Sequence, residues 1–162
     1  MYCLLDIIKE TIITFKENNI NNAQQETEWM LCNILNCNKI DLYIDSKATI
    51  DKNILNKLKS MIERRILGEP FQHIIGIAPF YGRDYIVNSN VLIPRPETEI
   101  LIDRLKQHGF VDSILDIGTG CGCIAITCYL EKLSNNIFAT DISKKALLVA
   151  TKNINKFNIE NI

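Results

Sequence analysis

The stretch Ser113-Ile114-Leu115-Asp116-Ile117-Gly118-Thr119-Gly120-Cys121-Gly122-Cys123-Ile124 constrains this chain more than any other. A short apolar run closes on an acid, three alternating glycines follow, and a helical apolar pattern comes next. That order reads as strand, ligand loop and helix, the opening unit of an α/β nucleotide-binding sheet. Glycines let backbone N–H groups approach a ligand with no Cβ in the way, and a loop feeding a helix N-terminus favours a carboxylate or phosphate there. The spacing is Gly-x-Gly-x-Gly, one residue short of the Gly-x-Gly-x-x-Gly of pyrophosphate binders, and no Gly-Lys-Ser/Thr ending marks a P-loop. This leans toward S-adenosylmethionine, whose anionic end is an amino-acid carboxylate.

A second signal lies at the distance such a site requires. Ile137-Phe138-Ala139-Thr140-Asp141 reads as the next strand with an acid at its end, 19 residues after Gly122, where a ribose diol needs an acceptor. A glycine loop alone is compatible with an ordinary turn, and Asp141 alone with a helix cap; together they point to a nucleoside-cofactor site. Gly118, Thr119, Gly120, Cys121, Gly122 and Asp141 are the candidate cofactor-binding residues.

Composition limits the alternatives. The net charge of −1 gives no basic footprint for nucleic acid. The longest uncharged run, Ile117 to Leu130, holds three glycines and is too short to span a bilayer, and Asp6 sits where a signal peptide would be basic, so the expectation is a cytoplasmic protein with no membrane partner. The six cysteines have no metal-ligand spacing and only His73 and His108 could join them, so no metal site is expected. Cys3, Cys32, Cys37 and Cys128 fall in helical patterns as small core residues, whereas Cys121 and Cys123 could line the loop.

Before the loop the chain reads as helical to about Leu67. Leu4, Ile8, Ile12 and Phe15 share a face, Asn22 can cap a helix carrying Ala23, Met30 and Ile34 with Trp29 beside them, and Leu42-Tyr43 allows a further turn. Thr49 or Asp51 opens a helix through Leu58 and Met61 that Gly68 ends. Arg64-Arg65 in its last turn reads as dipole complementarity and solvation, or alternatively as a docking contact for an acidic or nucleic-acid partner. His73 lies in an apolar run and reads as a structural imidazole. Strands at Phe80–Val87 and Val91–Ile93 would make residues 71–93 a β-hairpin linker. Pro94-Arg95-Pro96-Glu97-Thr98-Glu99 is more constrained than a helix start requires, which suits a wall of the ligand site. Ile126, Leu130 and Leu133 stripe the helix after the loop, and Ser143 caps the last one. The expected fold class is α/β, with a helical domain over 1–70, the linker over 71–93 and the first part of a doubly wound, Rossmann-like domain over 94–162. Two strands are too few to bury both faces of such a sheet, so the chain reads as the front part of a longer protein, or a remnant of one.

The series Arg64-Arg65-Ile66-Leu67-Gly68-Glu69-Pro70, Phe80-Tyr81-Gly82, Val91 to Glu99, Asp116 to Gly122 and Ala139-Thr140-Asp141-Ile142-Ser143 resembles the release-factor glutamine methyltransferases over essentially the whole chain. The glycine motif is shared by many methyltransferases; the Pro-Arg-Pro-Glu-Thr-Glu run at this distance before it is more specific. The resemblance implies a helical domain that engages peptide chain release factors, and S-adenosylmethionine-dependent methylation of the side-chain amide of the glutamine in a Gly-Gly-Gln loop. It also implies that Gly118 to Gly122 contact the methionine end of the cofactor, that Asp141 contacts the ribose hydroxyls, and that Pro94 to Glu99 close the site. In that family an Asn-Pro-Pro-Tyr motif holds the glutamine amide, and this sequence has no Asn-Pro-Pro. No catalytic residue is therefore assigned within the chain, the motif being expected beyond Ile162, and Cys121 stands where the family more often has serine. The alternative reading is a non-catalytic module that binds a release factor, or an inactive remnant. A nicotinamide-dependent oxidoreductase and a nucleic-acid methyltransferase fit the loop and Asp141 less well, the first by glycine spacing and the second by charge.

Overall fold

A computed structural model describes residues 2–44 and 48–162. They form two compact units, one up to Ile75 and the other from Gly76 to Ile162. In the first, β1 (Tyr2–Cys3) leads into α1 (Leu4–Glu17), followed by α2 (Ala23–Leu35), the single turn α3 (Asp41–Ile44), β2 (Thr49–Ile50), α4 (Lys52–Ile66) and α5 (Phe71–Ile75). The apolar stripes meet as their spacing requires: Leu4, Ile8 and Phe15 of α1, Met30 and Leu31 of α2 and Leu58 of α4 are buried in one cluster. Each such side chain contributes about 2 kcal/mol of burial.

The ends of these helices follow local chemistry. Asp51 caps α4 by accepting the Ile54 N–H at 2.8 Å. The chain leaves α2 through Asn36 in the left-handed region, and the Cys37 N–H reaches back to the Cys32 carbonyl at 3.2 Å, a Schellman closure. Asn22 stands at the N-cap of α2 as expected, but its side chain makes no capping hydrogen bond. Cys3 lies in β1, whose two residues pair antiparallel with Ile50 and Thr49 of β2. Trp29 is half exposed and leans on Phe71, ring centroids 5.7 Å apart, so it borders the core.

Arg64 and Arg65 stand in the last turn of α4 as expected, and each is also held in an ion pair. Arg64 forks onto Glu69, and Arg65 forks onto Glu26 of α2, Nε to Oε2 at 2.6 Å and Nη2 to Oε1 at 3.1 Å, with Nη1 on the Glu69 carbonyl at 3.3 Å. Both guanidinium groups hold their own unit together. The Glu26 side chain is 9% exposed and that of Arg65 24%. Removing the arginine leaves a nearly buried carboxylate without its fork, so Arg65→Ala is expected to cost about 2 kcal/mol in urea unfolding, while Arg64→Ala, whose pair is more exposed, stays within about 1 kcal/mol.

The second unit opens on a hairpin, β3 (Ile77–Phe80) and β4 (Arg83–Ile86), paired from Ile77↔Ile86 to Phe80↔Arg83. A 3-10 turn at Pro96–Thr98 precedes α6 (Glu99–His108). The remaining elements are β5 (Ser113–Ile117), α7 (Cys123–Leu130), β6 (Asn136–Thr140) and α8 (Lys144–Lys156). The hairpin thus turns at Tyr81–Gly82, inside the strand expected over Phe80–Val87, and spans residues 77–86, not 71–93. Phe71–Ile75, with half-buried His73, is a helix of the first unit, and Val91–Ile93 forms no strand. Phe80, Tyr85 and Val87 are buried together with Ile102, Ile126 and Val149, so the hairpin belongs to the core of the second unit.

The hairpin turn explains part of the Pro-Arg-Pro-Glu-Thr-Glu run. Tyr81 and Gly82 both have positive φ, 49° and 70°, as a two-residue turn between twisted strands demands. Tyr81 is not glycine, and the strain is offset by two acceptors: Glu99 takes its N–H at 2.7 Å and Asp103 its hydroxyl at 2.8 Å. Glu99→Ala is expected to lower the stability of the second unit by about 1–2 kcal/mol, read by thermal melting.

β5 and β6 are parallel, in register from Ser113↔Asn136 to Ile117↔Thr140. α7 packs on both strands, and the other face exposes Leu115, Ile117 and Phe138.

Candidate cofactor site

The site forms where β5 and β6 end. Past Ile117 the chain turns through Gly118, whose N–H, with that of Thr119, donates to the Thr140 carbonyl at 2.8 and 2.9 Å. The strand pairing thereby continues into the loop. Gly118, Gly120 and Gly122 all lie at positive φ, 79°, 58° and 84°. A Cβ on Gly118 or Gly120 would meet nothing within 4 Å, so these two positions need glycine for backbone conformation and leave one side of the loop open. Gly122 is different: a Cβ there would lie 3.1 Å from Ile126 Cδ1 and 3.3 Å from Ala150 Cβ, because α7 and α8 close on each other at this point.

Two acids organise the loop. Asp116, buried at the end of β5, accepts the Thr119 hydroxyl at 2.7 Å. Asp141 accepts the Gly120 N–H through Oδ2 at 2.9 Å and the Ser143 N–H through Oδ1 at 2.8 Å. The Ser143 and Gly120 amides together hold the Asp141 carboxyl below the usual aspartate range. Each of its oxygens has a second lone-pair position beyond the bond it makes. Ser143 in turn caps α8, accepting the Ala146 N–H at 3.2 Å.

Gly118 to Gly122 and Asp141 are therefore in one place, joined directly by the Gly120–Asp141 bond. Thr119 is buried on Asp116. Cys121 and Cys123 place their side chains in the apolar core, so what Cys121 can offer a ligand is its backbone. Burial pushes the Cys128 thiol up to about 11. In the Pro94–Glu99 segment, Glu99 is engaged on the hairpin turn. Asn153 was missed by sequence reading. It is fully buried on α8, and its amide bonds the backbone of Ile86 and of Cys121. The available signal was an amide side chain between Ala150 and Ile154 on the apolar face of the last helix. Among the described residues no cluster of three His, Cys, Asp or Glu side chains could hold a metal ion, and no helix is long and apolar enough to cross a membrane.

A strand, a glycine loop with one open side, a helix N-terminus and an acid at the end of the neighbouring parallel strand together could hold a nucleoside cofactor. Comparison with known proteins shows what the chain is similar to. The PrmC N-terminal domain profile matches residues 6–76 and the methyltransferase small domain profile residues 96–162. The release factor glutamine methyltransferase of Staphylococcus aureus is 41% identical over 82% of this chain and 48% of its own length. That of Thermodesulfovibrio yellowstonii is 39% identical over 98% of this chain and 56% of its own. Over most of its length the chain is thus similar to release factor glutamine methyltransferases, and it carries the PrmC N-terminal and methyltransferase small domains. Its glycine loop and Asp141 fall within the methyltransferase small domain, which is Rossmann-like, and α1, α2 and α4 within the PrmC N-terminal domain. A protein named bifunctional methyltransferase from Rickettsia prowazekii is 34% identical over 98% of this chain and 35% of its own length. The chain spans about half the length of the release factor glutamine methyltransferases it matches.

Proposed function

We propose that this chain serves methyl transfer from S-adenosylmethionine to the side-chain amide nitrogen of the glutamine in the Gly-Gly-Gln motif of peptide chain release factors. Its own share is to hold the cofactor and to recognise the release factor. The observation that carries the reading is the Gly120–Asp141 bond, which joins the glycine loop to the acid at the end of β6. The residues fit the cofactor: the open side of Gly118 and Gly120 is a space that any side chain would occupy. The N-terminus of α7 suits an amino-acid carboxylate, and the second lone pairs of Asp141 suit a ribose diol. When bound, S-adenosylmethionine supplies an electrophilic methyl group on a sulfonium.

The acceptor imposes a further requirement. An amide nitrogen is a poor nucleophile because its lone pair is delocalised, so its N–H bonds must be held by acceptors that align it. The family resemblance gives that task to Asn-Pro-Pro-Tyr, and these 162 residues contain no such sequence. The second reading is a binding module for a release factor without turnover of its own. Under both readings the helical first unit, up to Ile75, is the recognition domain and the second unit, hairpin included, is the cofactor domain. An apolar groove of about 320 Å³ between α1 and α4, floored by Ile7, Leu58 and Ile62 and rimmed by Glu10, Lys59 and Glu63, is available for contact.

Mixing the chain with unmethylated release factor and S-adenosylmethionine separates the possibilities. Capture of the release factor is expected under both readings. A methylated glutamine in the Gly-Gly-Gln peptide by mass spectrometry establishes turnover, capture without methylation establishes the module, and absence of both overturns the proposal.

A further inference from the structure

The amide of Asn153 spends its capacity on two backbone segments far apart in sequence. Its Oδ1 accepts the Ile86 N–H at 2.7 Å, and its Nδ2 donates to the Ile86 carbonyl at 2.9 Å and to the Cys121 carbonyl at 2.8 Å. The side chain is 0% exposed. At Ile86 it behaves as a neighbouring strand would, pairing both backbone groups of the last residue of β4. At Cys121 it holds a carbonyl inside the glycine loop.

That carbonyl belongs to the Cys121–Gly122 peptide, and a trans peptide fixes its N–H opposite its C=O. The Gly122 N–H donates to the Thr119 carbonyl at 2.8 Å, so one peptide plane is gripped from both sides. The plane turns about ψ of Cys121 and φ of Gly122, and at the second of these a glycine offers little resistance. Rotation would withdraw the Gly122 N–H from Thr119 and reorient the entry into α7, which begins at Cys123.

We infer that Asn153 is a positioning residue for the cofactor loop: it locks the Cys121–Gly122 peptide to the β4 edge and so fixes the shape of the loop and the entry into α7 beside the ligand. The inference rests on the cofactor reading of the loop for its functional consequence, and on the three hydrogen bonds for its structural one. The other end of the hairpin is held by Glu99, so the Pro94–Glu99 segment and the glycine loop are braced by the same hairpin.

The test compares Asn153→Ser and Asn153→Asp with Val149→Ala, a buried truncation on the same helix. Asn153→Asp keeps an acceptor for the Ile86 N–H and loses the donors, so it retains part of the hairpin contact. Two readouts are taken on folded protein: the amide resonance and hydrogen exchange of Gly122 by NMR, and the affinity for S-adenosylhomocysteine by calorimetry. In both Asn153 variants the Gly122 amide is expected to shift and exchange at least roughly tenfold faster, with affinity lowered roughly tenfold. Val149→Ala, at an equal loss of melting temperature, is expected to leave both unchanged. A Gly122 amide that behaves alike in the Asn153 variants and in Val149→Ala overturns the inference. Failure of the wild-type chain to bind S-adenosylhomocysteine instead counts against the cofactor reading, and the Gly122 amide still decides the role of Asn153.

Discussion

Asp141→Ala is expected to weaken S-adenosylmethionine binding by about a hundredfold, measured by calorimetry at neutral pH. The substitution removes the acceptor proposed for the ribose hydroxyls and strands the Gly120 and Ser143 N–H groups that the carboxylate now holds. Hydrogen bonds to a charged group are each worth about 1.5–3 kcal/mol, and one or two of them account for a change of that size. Asp141→Asn keeps one oxygen and should fall between the two. The same bonds set a pH dependence. The folded-state pKa of Asp141 is lowered by the Ser143 and Gly120 amides, so its contribution is present above the unfolded value, about 3.8, and is lost as pH falls through the folded one. Wild-type binding should therefore hold through the ordinary aspartate range and decline with acid only below it, as Asp141 is protonated, and that component should be absent in Asp141→Asn.

Gly122→Val should be the most damaging single substitution in the second unit. It places a branched side chain at φ 84° and directs its Cβ to 3.1 Å from Ile126 Cδ1 and 3.3 Å from Ala150 Cβ, where two helices meet. The left-handed backbone costs about 1–2 kcal/mol for a residue with a Cβ and overpacking about 1–3 kcal/mol, so even Gly122→Ala should lose about 3 kcal/mol, and valine more. Gly118→Ala has the backbone cost without the clash and should lose about 1–2 kcal/mol. Urea unfolding of the three variants side by side checks the order. Equal losses at Gly118 and Gly122 would mean that packing between α7 and α8 is not what position 122 requires.

What the sequence revealed and what it withheld divide by distance along the chain. The glycine loop, the acid at the end of the next strand, the Asp51 and Ser143 caps and the Gly68 stop are local signals, each carried by a few neighbouring residues, and all are present in the structure. Phe71–Ile75 misled because a short apolar run between Pro70 and Gly76 has no period to tell strand from helix. β1 and β2 are two residues each and leave no pattern. The Arg65–Glu26 fork joins residues 39 apart, and Asn153 reaches Ile86 across 67. Nothing in local composition announces such partners. Cys121 shows the same limit at closer range: its place beside Gly122 pointed to the ligand, while its side chain turned to the core.

The most direct measurement is titration of the purified chain with S-adenosylmethionine by calorimetry, repeated with Asp141→Ala and with NAD. Saturable one-to-one binding that S-adenosylhomocysteine displaces, that Asp141→Ala loses and that NAD does not reproduce is the expected result. A folded chain that shows no saturable binding, or binds equally well without Asp141, would contradict the assignment of Gly118 to Gly122 and Asp141 as the cofactor site.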